Sequence, residues 1–265
     1  MFAQKFHSAK QLARSVLPAA ITSRWSEWRV SAMIRSTESQ DRARDARDVF
    51  DDIYRRNKWG GDSGEAFSGS GSIGTAVERY VSTVNEFIQS NRIGSVLDIG
   101  CGDYRVGRKI ACEKYLGIDV APSVIERNNT CYASASREFM CLDAAGSEPL
   151  PAAQLCLIRQ VLQHLSNAQI FAILAKLNQF PFVIITEHQL AAADFVTANA
   201  DKVHGPFTRL FSGSAVYLDR PPFNLNVELI LEAQSSDHAS DAHSRGWIRT
   251  FLIRNQASAS AVSAS

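Results

Sequence analysis

Three residues near the middle of the chain have the types and spacing of a ligand-binding turn. Residues 95–102 read Ser-Val-Leu-Asp-Ile-Gly-Cys-Gly. The apolar and β-branched residues before the turn suit a short buried strand, and Gly100 and Gly102 let the backbone turn tightly and approach a ligand closely. Asp98 can reach the same cleft from the strand end. Because its carboxylate would repel a bare pyrophosphate, this pattern favours a neutral or cationic ligand.

Two further acids stand at the ends of short apolar runs. Asp119 closes the run 115–119, about 20 residues past the first glycine, where a ribose-binding carboxylate is expected. Asp143 closes the run 137–143. Acids at three strand ends fit a nucleoside that lies across the carboxyl edge of one sheet. The competing dinucleotide pattern, G-x-G-x-x-G, fails because Arg105 occupies its third glycine position.

The glycine turn resembles motif I of the class I S-adenosylmethionine-dependent methyltransferases, and the resemblance extends over about 49–254. It implies S-adenosylmethionine as the cofactor. The residues that it assigns to this cofactor are Asp98, Gly100 and Gly102 around the methionine part, Asp119 at the ribose, Asp143 at the adenine amino group, and Ala144 and Gln160 as looser contacts. The family often has a third glycine where this chain has Tyr104, which leaves the shape of the turn open.

A glycine- and serine-rich segment before the first strand carries a second resemblance. Residues 53–61 read Ile-Tyr-Arg-Arg-Asn-Lys-Trp-Gly-Gly, and residues 68–72 read Ser-Gly-Ser-Gly-Ser. Together they resemble an N-terminal signature in a branch of methyltransferases often associated with sugar and capsule modification. In that branch the segment precedes a helix, here 75–90, and folds over the cofactor. The resemblance therefore implies a lid, with Trp59 at the cofactor.

Histidine is the natural general base near neutral pH, and two histidines follow predicted strands. His164 lies just after the fourth strand, in a stretch that resembles a motif common at this point of the superfamily, and His188 ends the fifth strand. Either could deprotonate an acceptor hydroxyl, or be a structural hydrogen bonder. His204 lies in a loop that could cover the acceptor, and position alone suggests Arg209 and Tyr217 as acceptor contacts.

These features predict an enzyme that O-methylates a small molecule or a glycan. The alternative is a non-catalytic binding or scaffold protein with a methyltransferase fold, against which the intact acids at three strand ends argue. The Asn/Asp-Pro-Pro-Tyr/Phe element of amino-methylating DNA enzymes is missing after the fourth strand, where residues 158–161 read Ile-Arg-Gln-Val. No metal is predicted, because Arg159 stands where magnesium-dependent enzymes cluster carboxylates. Four further candidate ligands suit a solvated loop: Asp237, His238, Asp241 and His243.

Short apolar runs alternating with helical spacing predict an α/β fold, a Rossmann-like doubly wound sheet of about seven strands. The sheet is mostly parallel, with an antiparallel last strand. The predicted strands are 95–100, 115–119, 137–142, 154–159, 181–187, 225–232 and 247–254, with helices between them. Four segments are expected: a basic N-terminal extension (1–48), N-terminal helices with the lid (49–93), the methyltransferase domain (94–256) and a disordered tail (257–265).

Charge and cysteine content concern the partners and the compartment. A formal net charge of +1 over 265 residues gives no field that favours nucleic acid. Five scattered cysteines without a C-x-x-C pair indicate reduced thiols, so we expect a cytoplasmic protein. The basic stretch 1–36 could make a peripheral membrane contact or be a transit segment, but without a continuous apolar core it better suits a partly ordered helical extension. The sequence carries no signal for the oligomeric state.

Overall fold

A computed structural model describes residues 19–60, 66–235 and 246–255 of the chain. They fall into two units, one ending at Ala43 and the other beginning at Arg44. The first unit contains helix α1 (Ala19–Asp41). Within the described ranges, no helix has the length and apolar character needed to cross a membrane. The predicted tail and residues 1–18 of the predicted extension lie outside these ranges.

The second unit contains a seven-stranded sheet with the order β3-β2-β1-β4-β5-β7-β6. Its strands are β1 (Ser95–Ile99), β2 (Lys114–Asp119), β3 (Arg137–Cys141), β4 (Leu155–Arg159), β5 (Phe182–Leu190), β6 (Glu228–Gln234) and β7 (Gly246–Arg254). Strands β1 to β5 are parallel, and β7 runs antiparallel to both β5 and β6. The predicted Rossmann-like class, with a reversed last strand, is confirmed.

Four helices of this unit support the sheet: α2 (Ala46–Arg55), α3 (Thr75–Ser90), α4 (Pro122–Tyr132) and α5 (Asn167–Leu174). Helix α2 begins after Asp45, whose carboxylate accepts the Arg47 N–H, and its apolar spacing buries Val49 and Ile53. It packs against α4, which packs against β2 and β3. Helix α3 contacts β6, which is the edge strand farthest from β3 in the sheet.

Two connections lack the predicted helix, for reasons visible in the sequence. Between β1 and β2 there is only a short 3₁₀ turn. Gly100, Gly102 and Tyr104 all have positive φ angles (71°, 53° and 62°), which a right-handed helix cannot contain, and few residues then remain before β2. The connection from β3 to β4 is irregular, because Pro149 and Pro151 interrupt any helix there.

The strand order reverses between β1 and β4, at the centre of the sheet. The chain leaves β1 toward β2 and leaves β4 toward β5, so a crevice opens between the carboxyl ends of β1 and β4. Residues paired in parallel register point to the same face. Asp98 pairs with Leu157, and Arg159 pairs with Thr186. The register therefore puts Asp98, Arg159 and His188 on one face at the edge where ligands bind in such sheets.

Candidate functional site

The glycine turn after β1 is held tightly from two sides. The N–H groups of Gly100 and Cys101 both donate to the Ile118 carbonyl, at 2.8 and 3.0 Å. A Cβ atom on Gly100 would lie 2.4 Å from a methyl group of Val161, and one on Gly102 would lie 2.3 Å from Ser68 Oγ. Because both glycines also have positive φ angles, a larger residue is excluded at each by space and by backbone conformation.

Tyr104 occupies the position where the motif that the turn resembles often has a third glycine, and it keeps the backbone that a glycine would favour. Its φ angle is 62°, which is uncommon for an aromatic residue. Its ring packs against Tyr115, Tyr132 and Phe139, with centroids 4.8–5.3 Å apart, and aromatic packing of this kind offsets the cost. The left-handed turn therefore forms without the third glycine.

Asp98 lies beneath the turn and is almost completely buried. Its Oδ2 accepts a 2.6 Å hydrogen bond from the Tyr115 hydroxyl. Burial raises the pKa of Asp98 to about 6, against the opposing effects of the Tyr115 hydrogen bond and the positive charge of Arg159. Asp98 thus places partial negative charge next to the turn. Its contact with the methionine part of a cofactor stays a prediction.

Asp119 joins the end of β2 to the glycine turn. Its Oδ2 accepts the Gly102 N–H at 3.1 Å, and its Oδ1 accepts the Ala121 N–H at 3.0 Å. Burial raises its pKa to about 6 in spite of these two bonds. A carboxylate has about four lone-pair positions, so each oxygen can still accept a hydrogen bond from a ligand hydroxyl. The geometry is compatible with the predicted ribose contact.

The loop after β3 brings Asp143 and Ala144 to the same edge. Leu142 N–H donates to the Asp119 carbonyl at 3.0 Å, which anchors the loop beside β2. Asp143 Oδ1 accepts the N–H of residue 145 at 2.8 Å. Lys176 fixes the loop from the other side, donating to the Ala144 carbonyl at 3.0 Å and to two further carbonyls of the loop. Asp98 and Asp119 therefore lie in the neighbouring strands β1 and β2, and Asp143 lies in the loop that follows β3.

The lid segment, defined here as the described residues 66–74, lies across the glycine turn. Ser68 Oγ accepts the Asp103 N–H at 2.8 Å, and the Ser68 N–H donates to Asp103 Oδ2 at 3.3 Å. The Ser68 hydroxyl also shares a 3.2 Å hydrogen bond with the Tyr54 hydroxyl of α2. The remaining residues of the predicted loop, 61–65, lie outside the described ranges.

The lid segment also touches the end of β4 through Gln160. This residue has a φ angle of 55°, and its N–H donates to the Thr186 carbonyl at 2.7 Å. Its side chain lies so close to Gly71 that a Cβ atom there would be 1.8 Å from the Gln160 Oε1 atom. Gln160 thus contacts the lid segment. Its contact with the cofactor stays a prediction.

Trp59 connects the chain just after α2 with the loop that follows β5. Its indole N–H donates to the Pro206 carbonyl at 3.3 Å. Its ring lies 5.4 Å from the Tyr54 ring and 5.3 Å from the His164 ring. The structure therefore places Trp59 between α2 and the loop after β5.

His164 is tied to that same loop. A carbonyl can only accept, so the 3.2 Å bond between His164 Nδ1 and the Gly205 carbonyl places the proton on Nδ1. The other ring nitrogen lies 3.5 Å from Gln163 Nε2. Burial and the charge of Lys202 lower the pKa of His164 to about 3. The imidazole is therefore neutral at pH 7 and holds the loop in place.

His188 lies within β5 rather than at its end, because pairing with β7 extends the strand to Leu190. It is still beyond the last residue of β4, so it faces the crevice edge. Burial lowers its pKa to about 4, and its Nε2 is buried without a hydrogen-bond partner among the described residues. This imidazole is neutral at pH 7, with one nitrogen left unbonded.

Glu187 points to the opposite face of β5 and supports the turn after β4. Its two carboxylate oxygens accept the N–H groups of Leu162 and Gln163, at 2.9 and 3.2 Å. It is completely buried, and burial raises its pKa to about 8. The carboxyl group fixes the 3₁₀ turn that carries His164.

The three predicted acceptor contacts have different surroundings. Arg209 is 1% exposed and donates to the Ala200 carbonyl, the Leu162 carbonyl and Asn167 Oδ1, at 2.7–2.9 Å. Tyr217 is buried in a small cluster of its own with Leu190, Leu210 and Ala215. His204 has its ring 6.4 Å from Phe50, and its Nε2 is buried without a partner among the described residues. Among these three, His204 is the one that lies near Trp59, because the Phe50 ring is 6.4 Å from the rings of both.

Sequence reasoning missed several residues that shape this site. Ser68 and Asp103 form the contact between the lid segment and the turn, and no local pattern predicts a pair 35 positions apart. Glu187 had a visible signal, since a charged residue inside an apolar strand needs buried partners. The same signal applied to Arg159 at the end of β4.

No metal site appears among the described residues, where no group of three or more His, Cys, Asp or Glu side chains could hold an ion. The four residues considered from the sequence, Asp237, His238, Asp241 and His243, lie outside the described ranges.

Comparison with known proteins finds similarity to methyltransferase structures. No protein-family model matches the sequence, and no curated protein matches it. NodS, an N-methyltransferase from Bradyrhizobium japonicum WM9 in complex with S-adenosyl-L-homocysteine (SAH), is 16% identical over 68% of this chain and 86% of that chain, with a TM-score of 0.46. The methyltransferase domain of bacterial CtHen1-CN is 14% identical over 68% and 100%, with a TM-score of 0.47.

Human N-acetylserotonin methyltransferase in complex with S-adenosylmethionine is 13% identical over 80% of this chain and 60% of that chain, with a TM-score of 0.47. Similarities of this size do not identify a ligand or an acceptor.

Proposed function

We propose that this protein is an S-adenosylmethionine-dependent methyltransferase that methylates a hydroxyl group of a small molecule or a glycan. One observation carries the proposal: Asp98, Asp119 and Asp143 lie at the carboxyl ends of three neighbouring parallel strands, and Asp119 is bonded to the turn at Gly102. Ligands of open α/β sheets bind at this edge. Acids there suit a nucleoside with a positively charged centre and disfavour a pyrophosphate.

The residues present fit this cofactor. Asp119 retains lone pairs for the two ribose hydroxyls, and Asp143 lies one strand further along, where the adenine would be. Asp98, Gly100, Gly102, Ala144, Gln160 and Trp59 are the further proposed contacts. The bound cofactor would supply a methyl group on a sulfonium, which is already a good leaving group. The protein then mainly needs to position the acceptor and exclude water.

We assign the role of general base to His188. Its Nε2 is buried and has no hydrogen-bond partner in the part of the chain that the structure describes, and its neutral imidazole can take the proton that leaves the acceptor hydroxyl. Because its pKa is about 4, it is a weak base, and proton transfer would have to accompany methyl transfer. His164, the other candidate, already uses Nδ1 on Gly205, so its proposed role is to orient the loop over the acceptor.

His204 is the proposed acceptor contact from that loop. Arg209 donates its hydrogen bonds to three groups of the protein itself. We therefore propose that Arg209 and Tyr217 affect the acceptor indirectly, by holding the loop after β5 in its shape. This division of roles predicts that a variant of His204 changes the KM for the acceptor, whereas a variant of His188 changes kcat.

Calorimetry tests the proposal directly. The folded protein should bind SAH at one site, and NAD should not bind there. Labelled S-adenosylmethionine should then transfer its methyl group to members of a panel of hydroxylated small molecules and sugars. Absence of SAH binding refutes the proposal, and binding without transfer to any acceptor class would favour the non-catalytic alternative.

A further inference from the structure

Arg159 is the last residue of β4 and lies beside the central crevice of the sheet. Its side chain makes no hydrogen bond and no ion pair with any of the described residues, and its Nε atom is buried. The guanidinium lies over the ring of Tyr80, 5.2 Å from the centroid. Arg209 is more deeply buried than Arg159, and it donates three hydrogen bonds. The isolation of Arg159 is therefore not a general property of arginines in this protein.

The carboxyl groups near Arg159 are engaged elsewhere. Asp98 and Glu187 act on it electrostatically, but Asp98 accepts the Tyr115 hydroxyl and Glu187 accepts two backbone N–H groups. Burial raises the pKa of Glu187 to about 8, so this acid is mostly neutral at pH 7, and Asp98, whose pKa is raised to about 6, is the acid of the two that stays mostly ionised. A guanidinium keeps its charge in proteins, and an unpaired buried charge is costly.

The location of Arg159 connects it with the proposed reaction. It is the last residue of β4, on the face that also carries Asp98 of β1 and His188 of β5. The next residue, Gln160, contacts the lid segment at Gly71. Arg159 therefore lies between the acids proposed for the cofactor and the histidine proposed as the base.

We propose that Arg159 is the anion-binding side chain of this cleft and that its guanidinium takes a carboxylate. This inference rests on the proposed function. The carboxylate could come from the amino-acid part of the cofactor or from an acidic acceptor such as a sugar acid. The ring of Tyr80 contacts the guanidinium, whose planar fork suits the paired hydrogen bonds that arginine forms with carboxylates.

The test compares R159Q with wild type and with R254Q as the matched control. Arg254 also lies over aromatic rings, those of Phe87 and Phe182, but it forms an ion pair with Glu228. It is the last residue of β7 and lies beside the first residue of β5, at the sheet edge away from the cleft. Calorimetry measures binding of SAH and of methylthioadenosine, which lacks the carboxylate. D-glucuronate, acetate and benzoate, with neutral D-glucose for comparison, are then titrated into the SAH-saturated proteins.

Either of two results supports the proposal. If R159Q binds SAH about 10- to 100-fold more weakly, the range for hydrogen bonds to a charged group, and binds methylthioadenosine normally, the carboxylate is that of the cofactor. If SAH binding is unchanged and R159Q alone loses binding of a carboxylate probe, the carboxylate belongs to the acceptor. R254Q should match wild type in both.

Equal SAH affinities for R159Q and wild type, without carboxylate-dependent binding in either, overturn the proposal. Failure of wild type to bind both SAH and methylthioadenosine would instead refute the proposed function, and the carboxylate titrations alone would then decide the role of Arg159. R159Q should keep or raise the Tm of the ligand-free protein, whereas a merely structural role would lower it. If R159Q does not fold, R159K keeps the charge without the planar fork and should show the same pattern with a smaller loss.

Discussion

At the scale of single residues, Asp119 has two tasks. Its carboxylate holds the N–H groups of Gly102 and Ala121 and would also accept the hydroxyls of a ribose. A truncated side chain would thus remove a ligand contact and loosen the glycine turn. Both effects would weaken binding, so we expect the affinity for the cofactor to depend more on Asp119 than on the other proposed contacts.

We expect D119A to weaken SAH binding by about 1.5–3 kcal/mol, the range for hydrogen bonds to a charged group. Calorimetry at one pH measures the difference. D119N keeps one acceptor oxygen and should lose less, and D219A changes an exposed acid outside the site and should bind like wild type. Unchanged affinity in D119A would remove this residue from the site.

Glu187 makes the stability of the protein depend on pH. Its pKa is about 8 in the folded protein and about 4.3 in an unfolded chain, so between these values the unfolded state releases its proton first. The stabilisation is complete below the unfolded pKa and is lost as the pH rises through about 8. His164 and His188, with lowered pKa values, act in the opposite direction but only below about pH 6.5.

We therefore expect the free energy of unfolding to fall between pH 6.5 and 8, and to fall less in E187Q. Urea denaturation at several pH values measures this slope. E138Q, which changes an exposed glutamate, is the matched control and should keep the wild-type slope. Equal slopes in E187Q and wild type would mean that Glu187 is ionised in the folded protein at neutral pH.

At the scale of elements, the lid segment depends on a small number of polar contacts. Ser68 is central, because its hydroxyl accepts the Asp103 N–H and bonds with Tyr54 of α2. Few apolar side chains hold this segment, so its opening should cost less free energy than opening of the sheet. A cofactor beneath the lid would offset the entropy of fixing it.

We expect S68A to speed hydrogen exchange across 66–74 and to weaken SAH binding several-fold. In wild type, addition of SAH should slow exchange across 55–75. The matched control is S70A, which changes an exposed serine of the same segment. If exchange in wild type is the same with and without bound SAH, the segment is not a lid.

The sequence predicts the strands well where the signal is local. Strand β1 was expected at 95–100 and spans Ser95–Ile99, because its apolar run is bounded by glycine. Strand β5 was expected to end at 187 and continues to Leu190, since the extension depends on pairing with β7. Long-range pairing of this kind leaves little trace in a local pattern.

Some contacts of the candidate site likewise follow from the sequence, and others depend on how distant segments pack. The meeting of Asp119 and Gly102 follows from the topology of a parallel sheet, in which strand ends share one edge. The contact of Ser68 with Asp103 depends on how the lid segment folds back over the turn, and the isolation of Arg159 depends on which groups fail to reach it. Both are properties of the packed structure.

At the scale of the whole unit, Arg209 joins segments that are distant in sequence. It connects Ala200 and Leu162 with Asn167 at the start of α5. Its burial is compensated by these bonds, in contrast to Arg159. Removal of its side chain would take a charged donor from the Ala200 carbonyl and from Asn167 Oδ1, and would leave the Leu162 carbonyl with the Leu165 N–H alone.

We expect R209A to lower the free energy of unfolding by about 3–5 kcal/mol, because three hydrogen bonds from a charged donor are lost, each worth about 1.5–3 kcal/mol when taken singly. R209K should not restore it, because one ammonium cannot reach three acceptors in different directions. Denaturation in urea measures both, and R92A changes an exposed arginine as the control. A loss below about 1 kcal/mol in R209A would show that these bonds are dispensable.

The bond from the Trp59 indole to the Pro206 carbonyl has a consequence for the order of events in a reaction cycle. It joins the chain just after α2 to the loop that carries His204, so we expect this loop to move away from α2 only when the bond breaks. We expect the cofactor to bind first, the acceptor second, and both products to leave only after this bond breaks. Product release would then be the rate-limiting step of the cycle. In rapid-mixing experiments, wild type should show a burst of about one methylated product per protein molecule. W59F should abolish this burst, because it speeds product release.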